Sequence, residues 1–157
     1  MALFSISSFF VLVITAATLF YVAMTDLQEF KIRNDVVLAL AGLFLLYAIL
    51  SGRWTTIHWN MGLAVVTFAT MLYYYHQGLM GGGDVKLLAV AFLWVGVTGA
   101  VPFAILLVAF ILLHLFATRL GWARYKEAAN GRRIPLGPSV AGALIGVVMS
   151  GWLGPVA

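Results

Sequence analysis

Asp26 and Asp84 stand far apart in the chain, each at the end of an apolar run, and the second closes the sequence Gly81-Gly82-Gly83-Asp84-Val85-Lys86. An ionisable side chain next to hydrocarbon is costly to keep and usually has a task. Two carboxylates that face one another can share a proton. The ionised member then takes a proton from water while the protonated member donates toward a carbonyl oxygen, which is the chemistry of peptide hydrolysis. The apparent pKa values of such a pair belong to both groups together. Glycine permits positive φ and close approach, so Gly81, Gly82 and Gly83 are expected to bend the chain sharply and leave room for an extended peptide. Each acid also has a simpler reading. Asp84 suits an N-cap for a helix starting at Val85, and Asp26 with Glu29 suits a capping arrangement at an interfacial turn. Capping and catalysis are compatible.

The elements that must position these acids are set by composition. Of 157 residues, 64% are hydrophobic and 9% charged, and the mean hydropathy is +1.07. No water-facing surface can be covered from that inventory, so the chain is expected to be an all-α polytopic membrane protein forming one domain over residues 1–157. Apolar runs near 3–25, 36–51, 59–76, 85–98, 100–118 and 136–153 predict about six spans, with a tight hairpin at Val97-Thr98-Gly99-Ala100-Val101-Pro102. No charge precedes Thr25, so the first run is expected to be retained as a span, with the mature chain beginning at or near Met1. The basic residues fall in alternate loops: Lys31 and Arg33, then Lys86, then Arg119, Arg124, Lys126, Arg132 and Arg133, with Arg53 alone on the other side. The positive-inside rule therefore predicts extracytoplasmic termini and places both Asp26 and Asp84 at the cytoplasmic interface. The net charge of +4 is a topology signal and calls for no nucleic acid.

Other polar residues carry less. Lys86 is expected to snorkel to lipid headgroups, with tuning of Asp84 as a second role. His114, inside the fifth run, is read as either a proton relay or a hydrogen-bonded packing residue; His58 and His76 fall at interfaces. Three scattered histidines and no cysteine give no metal constellation, so zinc hydrolysis is not expected. Trp54, Trp59, Tyr73, Tyr74, Tyr75, Trp122 and Tyr125 are expected to anchor in the interfaces, and the basic stretch from Arg119 to Arg133 to attract anionic lipid or a docking partner.

Residues 81–88, Gly-Gly-Gly-Asp-Val-Lys-Leu-Leu, resemble the GxGD signature of the type IV prepilin peptidases. Asp26-Leu27 followed by Ile32-Arg33-Asn34 resembles that family's Asp-Leu and Ile-Pro-Asn motif, with Arg33 in the proline's place. Ile134-Pro135-Leu136-Gly137-Pro138 resembles its late Ile-Pro-Phe-Gly-Pro segment. Long family members carry two Cys-x-x-Cys pairs and N-methyltransferase activity. This cysteine-free chain resembles the short, peptidase-only branch that serves tight-adherence (Flp) pili.

The resemblance implies a bacterial inner-membrane aspartic endopeptidase without cofactor, with Asp26 and Asp84 as the catalytic pair. Gly81, Gly82, Gly83, Lys86, Asn34, Ile134, Pro135, Gly137 and Pro138 would shape the site. The substrate would be a prepilin or pseudopilin with a basic cytoplasmic leader and a hydrophobic helix, cut beside a glycine. Glu29 or Asp35, close to Asp26, is expected to help attract the leader. A small proton-coupled transporter, an archaeal preflagellin peptidase and a noncatalytic pilus-assembly factor are the rival readings.

Overall fold

A computed structural model describes residues 2–52, 54–121, 126–128, 131–133 and 135–151. Its helices are α1 (Ala2–Glu29), α2 (Asn34–Leu50), α3 (Trp54–His76), α4 (Gly82–Arg119) and α5 (Gly137–Met149). Helices dominate because an apolar solvent offers nothing to a backbone N–H or C=O, which must then pair within its own segment. A short antiparallel hairpin, β1 (Lys126–Ala128) with β2 (Gly131–Arg133), lies between α4 and α5 and pairs Glu127 with Arg132. It stands in the basic stretch for which no strand was expected. Ile134, Arg53, Trp122, Arg124 and Tyr125 lie outside the described residues.

Two helices among the described residues are long and apolar enough to cross a membrane, Ile6–Glu29 and Gly82–Arg119; α2 and α5 are shorter apolar helices. α4 is not straight. Gly96 sits at φ 62°, ψ −172°, a region that only glycine occupies at low cost, and it divides the helix into two arms. Phe92 and Phe103 lie on opposite sides of that break, yet their ring centroids are 5.1 Å apart and meet edge to face. Along a continuous helix their Cα atoms would be separated by about 16 Å. The chain therefore turns back on itself, and it does so at Gly96, one residue before the expected hairpin at Val97–Pro102. Asn60 of α3 supports the turn by donating from Nδ2 to the Leu93 carbonyl at 3.2 Å, one of the acceptors released by the broken helix.

α4 is the hub: it packs against α2, α3 and α5, while α1 packs against α2 and α5. Trp94 fills the centre, donating from Nε1 to the Leu40 carbonyl at 3.0 Å, with Phe44 edge-on at 5.7 Å and Tyr47 at 5.5 Å. Leu19, Leu40, Leu87, Phe103 and Leu144 are buried around it. Small residues allow close helix approach where lipid supplies no hydrophobic drive. Gly146 and Gly142 of α5 receive Leu106 and Phe110 of α4, whose atoms come within 3.1 Å of where a Cβ would stand on either glycine. Large apolar residues such as Phe9, Leu38, Val101 and Leu112 face outward, as a lipid-facing surface requires.

Candidate active site

Asp26 lies one turn before the end of α1, which runs through Glu29 and stops where Phe30 enters the left-handed region at φ 52° and donates its N–H to the Asp26 carbonyl at 3.0 Å. The expected capping role for Asp26 with Glu29 is thus corrected, because both are inside a helix that ends there and neither begins one. The Asp26 side chain is 4% exposed and points at the start of α5, where the Gly137 N–H donates to Oδ2 at 2.7 Å. This contact is what Gly137 makes possible. A Cβ at 137 would stand 2.8 Å from both the Cβ and Oδ2 of Asp26.

Asp84 occupies the first turn of α4 and is half-buried. Gly81, in extended backbone at φ −79°, ψ 145°, takes the N-cap position, so Asp84 is the third residue of the helix and is not its N-cap. Its carboxylate folds back over the N-cap, and Oδ2 would be 2.8 Å from a Cβ at Gly81. Both acids therefore rest against a glycine, Asp26 on Gly137 and Asp84 on Gly81. The expected bend at 81–83 is also corrected. Positive φ in this turn belongs to Gly78 at 73°, while Gly82 and Gly83 are helical and serve as places of close approach.

Two contacts bring the acid-bearing segments together. Ile32, buried in the loop after Asp26, packs so closely on Gly83 that its Cβ would be 2.9 Å from a side chain there. Lys86 Nζ donates to Asn34 Oδ1 at 2.9 Å, so the lysine expected to snorkel is tied to the start of α2. Ile32 opens the Ile-Arg-Asn stretch that resembles the family's Ile-Pro-Asn motif, and its packing on Gly83 is visible only in the fold. Beside the Lys86–Asn34 bond a groove of about 460 Å³ opens, lined by apolar Val37, Leu38, Phe68 and Val90.

Arg33 holds φ −78°, ψ 139°, the backbone a proline would impose, which explains how arginine serves in the proline position of the Ile-Pro-Asn motif. Its guanidinium grips Asp35 in two hydrogen bonds, 3.1 Å from Nε and 2.7 Å from Nη2. The Asp35 bond raises the arginine's pKa further above its ordinary value. Asp35 thus already has a cation, whereas Glu29 is exposed on the last turn of α1. Pro135 and Gly137 are buried and Pro138 is half-buried, all at the entry to α5 that receives Asp26; Ile134 lies outside the described residues. Among the described residues no three His, Asp or Glu gather as a group that could hold a metal.

The model of the Type IV leader peptidase family matches residues 13–118, more than half of the chain. The chain belongs to the type IV leader peptidase family. The leader peptidase match embraces Asp26, Asn34, Gly81, Asp84 and Lys86, and stops before α5, whose hold on Asp26 is seen only in the folded chain. No curated protein and no solved structure gives a match. A peptidase family and long apolar helices together make this a membrane protein.

Proposed function

We propose that the chain is an aspartic endopeptidase that removes the basic leader from type IV prepilins or pseudopilins of the Flp kind, cutting at the cytoplasmic face of a bacterial inner membrane. The observation that carries it is the pair of staples, Ile32 on Gly83 and Lys86 to Asn34, which join the segments bearing Asp26 and Asp84 at one end of the helices. In this mechanism a water held between the acids attacks the scissile carbonyl. The ionised carboxylate takes the water's proton, and the protonated one donates to the carbonyl oxygen, giving a neutral tetrahedral intermediate. On collapse the C–N bond breaks, the leaving nitrogen takes its proton from the carboxyl that water had protonated, and a hydroxyl of the intermediate gives its proton to the other carboxylate, so the dyad again holds one proton.

The topology in this proposal has about six spans, with the two arms of α4 as the fourth and fifth and both chain ends extracytoplasmic. Its support is the loop bias in lysine and arginine and the reversal at Gly96. The substrate's apolar helix would lie along the groove beside Lys86 and Asn34, its leader in the cytoplasm near the exposed Glu29. Mass spectrometry of a synthetic peptide with a lysine-rich leader, a glycine and an apolar helix, incubated with the purified protein in lipid nanodiscs, tests this. A single cut at the glycine junction is expected. An intact peptide, or cuts scattered through the leader, contradicts it.

A further inference from the structure

Asp26 is backed by polar side chains that acid-pair chemistry does not employ. The second arm of α4 runs against α5 with Leu106 seated on Gly146 and Phe110 on Gly142. One turn forward on α4 and one turn back on α5, the same register pairs His114 with Pro138, between Gly137 and Ser139. Gly137 is the residue whose N–H holds the Asp26 carboxylate. The register therefore lays the His114 ring beside that carboxylate, and the two groups lie within electrostatic reach of one another. Ser139 is 2% exposed, and its Oγ has no hydrogen-bond partner among the described residues. A hydroxyl is seldom sealed away in this manner unless a water or a neighbouring polar group completes it.

Resting on the acid-pair reading, we propose that His114 and Ser139 are positioning residues that hold the Asp26 carboxylate from behind, His114 by its polar ring and Ser139 through a bridging water. Few other ionisable groups face this place. α5 contributes none, α1 contributes Asp26 with the exposed Glu29 and Tyr21, α2 carries the exposed Asp35 and the buried Tyr47, and α3 carries the exposed His58, Tyr73, Tyr74, Tyr75 and His76. α4 itself carries Asp84, the other acid of the pair, and the exposed Lys86 near its start, and the exposed Arg119 at its end.

Full-length protein in nanodiscs and the lysine-leader peptide give the test, with Asp26→Asn and Asp84→Asn alongside. His114→Phe is expected to lower kcat about tenfold or more and to shift the pH profile of kcat, while KM stays within about twofold. His114→Gln, which keeps hydrogen-bonding capacity, recovers most of that loss, Ser139→Ala loses less, and the lipid-facing control Leu113→Phe changes neither constant. A His114→Phe enzyme with wild-type kcat and pH profile overturns the proposal, as does a loss that Gln does not recover. If wild type leaves the peptide whole, or either Asn variant cuts it, the peptidase reading fails separately. His114 can still be judged in that event from its imidazole signals by NMR. Asp26→Asn should displace those signals; a His114 spectrum identical to that of the wild type refutes the placement.

Discussion

Each acid leans on a glycine, and this makes three chemically identical substitutions differ sharply. Gly137→Ala drives a methyl group into Asp26, and Gly81→Ala drives one into the Asp84 carboxylate, each at 2.8 Å. A displacement of about 1 Å at a reacting group is enough to cost about a hundredfold, so both variants should retain their fold in detergent and lose about that much kcat. Gly82→Ala meets only the Tyr75 ring at 3.4 Å, an ordinary contact, and should cut peptide within about threefold of wild type. Equal losses at 81, 82 and 137 would mean the glycines matter for some other reason. The Lys86–Asn34 bond has its own signature: a double-mutant cycle with Lys86→Met and Asn34→Ala should return a coupling of about 0.5–1 kcal/mol in stability. At this scale the sequence made the acids legible, because carboxylates are rare in so apolar a chain. It did not reveal that Gly137 donates to Asp26 or that Ile32 fills the space left by Gly83, since both contacts join residues whose nearness only the folded chain creates.

Among the elements, α4 carries the most informative break. Gly96→Ala would place a Cβ into the Asn60 amide and force a side chain into backbone that disfavours it, so unfolding in detergent should show a loss of about 1–3 kcal/mol. The neighbouring loop offers the opposite case. Arg33 already holds proline-like angles, so Arg33→Pro should keep both fold and cleavage, sacrificing only the exposed ion pair to Asp35. Loss of folded protein in Arg33→Pro would show that the loop needs the arginine itself. Element positions were readable from hydrophobic run length, and the division of residues 82–119 was expected from a Gly/Pro stretch. The exact hinge was not, because Gly99 and Pro102 look equally suitable until Asn60 is seen supporting Gly96. The two-stranded hairpin was also illegible, since Lys126–Ala128 and Gly131–Arg133 show neither β-branched enrichment nor alternation.

For the whole molecule, a hub helix folded at Gly96 gathers the end of α1, the start of α4 and the start of α5 at a single end of the bundle. Composition foretold a membrane protein, and the three motifs pointed to the family that the chain belongs to. What composition could not supply is the staple between the two motif regions, which depends on α2 packing against α4. Whether Asp26 and Asp84 work as one unit is decided by the kinetics of Asp26→Asn, Asp84→Asn and the double variant on the lysine-leader peptide. Groups that act together lose almost everything when either is removed, so each single variant should fall by about a thousandfold or more and the double variant should be hardly worse. Two modest losses that multiply in the double variant, or a single variant that still cleaves at the wild-type rate, would contradict the dyad.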